Sequence, residues 1–257
     1  MYGGPPAGTI SPVTSPYAQS GYRVGFDWGP AGAAAVPGAL VAVVDVLSFT
    51  TSVTVAADRG ITVLPYRWRD STAIQYAEQH AAALAVGRSE AGADGISLSP
   101  ASIRQARNVE RLVLPSPNGS TISQQLADSG STVLAVSLRN AAAAAEWATA
   151  KGRQIVVIAA GERWADGSLR PAVEDLWGAG AFITALQERG VGPVSPEARA
   201  AAAAWREVRA ELPGLLRECA GGRELIQYGF PQDVAVAAEV GSSASVPVLR
   251  AGAFVVD

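Results

Sequence analysis

Residues 41–53 read VAVVDVLSFTTSV. The run from Val41 to Val44 is apolar without alternation, the pattern of a strand buried on both faces. It ends at Asp45, and a Ser/Thr-rich turn leads into a second apolar segment. An acid at the carboxyl end of such a strand, ahead of hydroxyls that can start a helix, marks where open α/β sheets place ligand sites. Two readings stand on these residues alone: Asp45 and Thr50 as helix caps, or Asp45 as a site residue.

Working outward, the same strand–helix rhythm recurs. Strands are expected at Tyr22–Trp28, Ile61–Tyr66, Leu84–Val86, Arg111–Leu114, Thr132–Ser137 and Gln154–Ala160. Helices are expected up to Asp58, from Asp70 or Ser71, over Pro100–Arg107, Ser120–Asp128 and Ala141–Lys151, and from about Val173 to Arg189. Gly29–Gly38 and Gly161–Pro171 read as loops. Glu197–Glu218 reads as a long amphipathic helix interrupted at Pro213, Gly222–Tyr228 and Asp233–Val240 as helical, and Val246–Arg250 with Phe254–Val256 as late strands. The alternation predicts a three-layer α/β/α fold with a mainly parallel, or mixed, sheet and a helix-rich C-terminal part. Met1–Gly21, rich in Pro, Gly, Ser and Thr, reads as a flexible leader; 22–257 reads as a single α/β domain, with a helical subdomain from about Val194 as a variant.

Composition narrows the chemistry. A net charge of -3 without a basic block gives no footprint for nucleic acid or an anionic membrane surface, which leaves a small molecule as the expected partner. No stretch has the apolar length of a membrane span, and the leader lacks the basic start and apolar middle of a signal peptide, so a cytoplasmic location is expected. The single cysteine, Cys219, excludes an internal disulfide and a thiolate metal cluster. The single histidine, His80, lies in a helical pattern and leaves little room for His-rich zinc sites or Ser-His-Asp chemistry. Any metal is then a hard cation bound through oxygen. The Ala-rich faces of Ala141–Lys151 and Glu197–Arg209 are candidates for burial against the sheet or for a homodimer contact.

Polar residues fall in a pattern. Asp45, Glu90, Asn118, Asn140 and Glu162 lie at or just beyond strand ends, which in a parallel sheet share one edge. In Pro117-Asn118-Gly119-Ser120-Thr121 a glycine permits close backbone approach and a helix start offers unpaired N–H groups, the makings of a phosphate site; an ordinary Asn-Gly turn is the plain alternative. Acids near such a site, Glu174 and Asp175 among them, suggest Mg²⁺ bridging carboxylates and phosphate, with Arg139 and Arg163 as charge partners. The P-loop, the GxSxG elbow and the Asp-x-Asp of haloacid-dehalogenase-type phosphatases are absent.

Taken in order, VVDVLSFTTSV, VGRSEAG, LSPAS, LPSPNGST, SLRNA and VIAAGERW with GSLRPAVEDLWGAGA, followed by SPEARAAAA and QDVAVAAE, resemble the 2-phosphosulfolactate phosphatase family from about Ala42 to Val240. The resemblance implies a Mg²⁺-dependent phosphatase of unusual α/β architecture that converts phosphosulfolactate to sulfolactate on the route to coenzyme M. It places Asp45, Asn118, Gly119, Asn140, Glu174 and Asp175 around the active site. Ser48 stands where the family commonly has Arg, the Gly-Glu-Arg pattern appears as Gly87-Arg88-Ser89-Glu90, and Asn-Ser-Pro as Leu98-Ser99-Pro100. Arg88, Arg139 and Arg163 thereby become the candidates for the missing charge.

The resulting expectation is a Mg²⁺-dependent hydrolase of a small phosphorylated acid, 2-phosphosulfolactate or a relative. Phosphate is expected on Asn118, Gly119, Ser120 and Thr121 with Arg139 and Arg163. Mg²⁺ is expected on Asp45 with Glu90, Glu174 and Asp175, and catalysis from Asp45, Asn140, Glu174 and Asp175. Ser48 or Thr50 as covalent nucleophile is the less favoured route, since no histidine base is near in sequence. A non-catalytic phospholigand-binding protein on the same scaffold is the competing class.

Overall fold

The computed structural model describes residues 15–67, 70–92 and 95–257. Strand β2 (Leu40–Val44) is buried at every position. It lies between β7 (Ile155–Ala159) and β6 (Thr132–Val136), with β1 (Val24–Trp28) beyond β7, and all three pairings are parallel. Because successive side chains point to opposite faces, β2 feeds two cores. Leu40, Ala42 and Val44 join the core formed with α6 (Ala141–Ala150), α7 (Val173–Glu188) and α8 (Pro196–Val208). Val41 and Val43 join the other, with α2 (Phe49–Asp58), α4 (Pro100–Gln105) and α5 (Gly119–Asp128). This accounts for a strand without polar alternation and gives the expected three layers.

A second parallel run consists of β3 (Thr62–Tyr66), β5 (Arg111–Pro115) and the short β4 (Ala83–Leu84). The hairpin of β10 (Pro247–Arg250) and β11 (Ala253–Val256) joins the two runs, pairing antiparallel with β6 on one side and β3 on the other. The full order is β1-β7-β2-β6-β10-β11-β3-β5-β4, a mainly parallel but mixed nine-stranded sheet. Three antiparallel steps reverse the nominal strand sense between the runs. The loops after β2 and β7 share one edge, as the sequence suggested, but a shared edge does not bring in the loop after β5, which lies across the antiparallel hairpin. The helices do it instead. α5 touches β2, β6 and β3, and α2 touches β6 and β3, so both helices are packed by both runs. Ile122 and Leu126 of α5 are fully buried there, and truncating such a residue to Ala costs about 2–5 kcal/mol.

The remaining elements are α1 (Gly29–Ala34), α3 (Ser71–Gln79), a small hairpin of β8 (Glu162–Arg163) and β9 (Leu169–Arg170), α9 (Leu212–Glu218), α10 (Ala220–Gln227) and α11 (Pro231–Ala237). Three sequence expectations change. Part of Gly29–Gly38 is helical, since Pro30 occupies the first turn, where its missing N–H costs nothing. The expected loop Gly161–Pro171 folds back as the β8–β9 hairpin. The expected helix Glu197–Glu218 is two helices, with Pro213 in the first turn of the second instead of inside one. Residues 1–14 of the expected leader lie outside the described residues. Its last part is pinned: the Gln19 side chain donates to Phe26 O (2.8 Å) and accepts from Phe26 N (3.1 Å). The C-terminal helices share the core of the first run through Trp205, Leu212, Leu216 and Val234. Among the described residues no helix is long and apolar enough to cross a membrane.

Candidate active site

Asp45 follows β2 directly, and its carboxylate joins the starts of two helices. Oδ1 accepts from Phe49 N, the first residue of α2 (3.0 Å), and Oδ2 from Gly119 N, the first residue of α5 (3.0 Å). Helix N-termini present unpaired N–H groups and a partial positive charge, so one carboxylate serves both. The Asp45 backbone is fixed as well: its N–H donates to Thr50 Oγ1 (3.0 Å), and that hydroxyl donates to Asp45 O (2.8 Å). Gly119 is required by close approach. A Cβ there would lie 2.2 Å from Phe49 Cδ1 and 2.7 Å from Asp45 Oδ2. Burial pushes the Asp45 carboxyl up to about 6; the two N–H donors and Arg88 oppose this, and Glu174 adds to it.

Three further acids surround it. Asp175 is buried, with Oδ1 accepting from Val46 N (2.7 Å) and Oδ2 from Gly161 N (2.9 Å), so it ties the loop after β2 to the loop after β7. Burial, then the nearby charges of Asp45 and Glu174, hold its carboxyl well above the usual range. Glu174 is buried against Gly221, where a Cβ would stand 2.3 Å from its Oε1. Its carboxyl is raised chiefly by burial. Glu162, at the start of β8, accepts from Asn118 Nδ2 (3.0 Å) through Oε2. Burial and then the charge of Asp45 push the Glu162 carboxyl up to about 7.

Asp45, Glu162 and Asn118 open on a cavity of about 130 Å³, shared with Ser48, Phe49, Arg88 and Ser116. Arg88 reaches into it, donating from Nη2 to Ser48 Oγ (2.6 Å) and from Nε to Asp233 Oδ2 (2.7 Å). A wider groove of about 510 Å³, lined by Arg59, Asn108, Glu110 and Arg111, contains none of these groups.

The other expected site residues are placed differently. The Gly119 amide is taken by Asp45, and the buried Ser120 hydroxyl donates to Leu114 O (3.0 Å), which leaves Asn118 as the one of the four expected phosphate-loop residues that lines the cavity; Thr121 is half-buried and does not line it. Asn140 is fully buried and committed to backbone: Oδ1 accepts from Ser137 N (2.9 Å), and Nδ2 donates to Ala135 O and Ser245 O (both 3.1 Å). Arg139 pairs with Asp58 (2.8 Å) and with Glu239. Arg163 donates to Gly167 O (3.2 Å) within its own hairpin, and the exposed Glu90 accepts from Gly87 N (3.3 Å). Of the four acids expected to share a metal, Glu174 and Asp175 lie near Asp45 and Glu90 is bound elsewhere; among the described residues no three Asp, Glu, His or Cys side chains form a metal-holding group. Ser48 Oγ donates to Leu98 O (3.3 Å) and accepts from Arg88, and among the described residues no side chain able to take its proton is bound to it.

Sequence reasoning gave Glu162 no role, although it stood at the end of a buried strand. Asp233 lay in the quoted stretch QDVAVAAE but received no role, since its partner Arg88 is 145 positions away. No curated protein sequence matches the chain. The family model described as 2-phosphosulpholactate phosphatase matches residues 31–252, nearly the whole chain. Those residues include β2, both helices that start at Asp45, and every charged group lining the cavity. The chain belongs to the 2-phosphosulpholactate phosphatase family and is, by that membership, a phosphoric monoester hydrolase.

Proposed function

We propose that the cavity beside Asp45 hydrolyses a small phosphorylated acid, 2-phosphosulfolactate or a related phospho-acid, with Mg²⁺. One observation carries the reading: a buried carboxylate held by two helix N-termini faces a second carboxylate, a carboxamide and a guanidinium across a cavity of about 130 Å³. Phosphate would lie against Asn118 Nδ2, just ahead of the start of α5, whose dipole favours negative charge there.

The donor set fits a hard cation. Each Asp45 oxygen accepts one N–H and keeps lone-pair capacity, and the charge of Asp45 adds to burial in raising the Glu162 carboxyl. Mg²⁺ takes one or two carboxylates and completes its shell with substrate oxygens and water. Asp45 is the residue placed to hold it; when bound, the ion supplies polarisation of the phosphoryl oxygens and neutralises their charge. Glu162 in its carboxylate form orients the attacking water and accepts its proton, and Asn118 fixes the Glu162 carboxylate through Oε2. Glu174 acts on Asp45 through its charge, and Asp175 holds the Val46 and Gly161 amides.

A phosphate-release screen over small phospho-acids, with Mg²⁺ and with a chelator, tests this. Turnover that needs the metal supports it. Binding of phospho-acids without turnover of any of them establishes the binding-protein alternative instead.

A further inference from the structure

The structure assigns Arg88 as the specificity-determining residue that receives the second acid group of the substrate, a carboxylate or sulfonate beside the phosphate-bearing carbon. The inference rests on the phosphatase reading of the Asp45 cavity. Among the described residues that line the cavity the charged ones are Asp45, Glu162 and Arg88, so Arg88 is the one cation among them. Arg139 and Arg163, the other candidates, do not line the cavity.

The guanidinium is held rigidly. Nε is bound to the fully buried Asp233, whose other oxygen accepts from Ser99 Oγ, and Nη2 is bound to Ser48. Its plane sits over Phe230, 5.9 Å from the ring centroid. A guanidinium carries five N–H donors. Two are used, and among the described residues no acceptor meets the other three, while the side chain keeps 19% exposure. A pre-positioned planar fork with free donors is the geometry that takes a carboxylate or sulfonate through paired hydrogen bonds. Asp233 already offsets its charge, which suits a monoanionic group better than a phosphate dianion. Ser48 leaves room for this arrangement, because a short hydroxyl meets Arg88 where a longer side chain would fill the same space.

The test compares phospholactate with isopropyl phosphate, which replaces the carboxylate with a methyl group. Arg88→Gln alone strands the buried Asp233 charge, so the variants are Arg88→Lys, which keeps the charge without the fork, and the double variant Arg88→Gln/Asp233→Asn. The expected result is a wild-type preference for phospholactate in kcat/KM. That preference falls by about tenfold or more in both variants, chiefly through a higher KM for phospholactate. An unchanged preference in the folded variants overturns the assignment. An equal loss on both esters also overturns it, because Arg88 then serves the phosphate. Absence of wild-type turnover of either ester overturns the phosphatase reading and the assignment with it.

Discussion

Gly119→Ala is the sharpest probe of how the site is built. The new Cβ would stand 2.2 Å from Phe49 Cδ1, 2.7 Å from Phe49 Cγ and 2.7 Å from Asp45 Oδ2. Phe49 has little freedom to move, since it is buried and packs edge-on against Phe254 with ring centroids 6.1 Å apart. α5 must therefore retreat, which breaks the Gly119 N to Asp45 Oδ2 hydrogen bond. Overpacking costs about 1–3 kcal/mol, and losing a hydrogen bond to a charged group about 1.5–3 kcal/mol. The sum, about 2.5–6 kcal/mol, corresponds to a melting temperature lower by about 5–24 °C for a chain of this size. Displacing Asp45 and Asn118 by about 1 Å lowers turnover about 100-fold. Thermal unfolding by circular dichroism and phosphate release at a temperature where the variant is folded measure the two effects. A melting temperature within about 2 °C of wild type, with full activity, would refute the two-helix account of Asp45.

Two pH dependences follow from the same acids. Glu162 must be ionised to take a proton, and burial pushes its carboxyl up to about 7 in the free protein, so kcat/KM rises with pH through about 7 and then levels; Glu162→Gln loses that limb and about 100-fold or more in rate, as a pH–rate profile of both proteins will show. Stability of the metal-free protein runs the other way. Asp45 and Glu162 are raised from 3.8 to about 6 and from 4.5 to about 7, so the native state binds more protons than the unfolded chain between about pH 4 and 7. Stability therefore falls as pH rises through that window, and urea melts at pH 5 and pH 8 check it; a higher midpoint at pH 8 contradicts the placement of both acids.

Much of the fold was legible because it follows from local pattern. Buried strands such as Val41–Val44 and Ile155–Ala159 carry no polar alternation, and Ser48 and Asn118-Gly119 mark the starts of α2 and α5. The C-terminal hairpin was read as two late strands, but its place between β6 and β3 was hidden, because single bridges such as Val248 with Leu134 and Phe254 with Val63 leave no periodic trace. At the site, Asp45 was legible from its position after a buried strand. Asn140 looked equally promising from the same kind of position, yet its amide is consumed by backbone groups as far away as Ser245. The difference between them is which side chain remains open to a cavity, and that is set by packing between distant elements. Arg88 shows the same limit: its partners Ser48 and Asp233 lie 40 and 145 positions away.

Asp45→Asn tests the central claim most directly. Asn keeps the shape but supplies one acceptor where two N–H donors converge, and it removes the charge proposed to hold Mg²⁺. The measurement is Mg²⁺-dependent phosphate release by the folded variant, with Mg²⁺ binding followed by calorimetry. The account predicts a loss of turnover of about 1,000-fold or more together with loss of Mg²⁺ binding. Turnover within about threefold of wild type with Mg²⁺ affinity intact would contradict it.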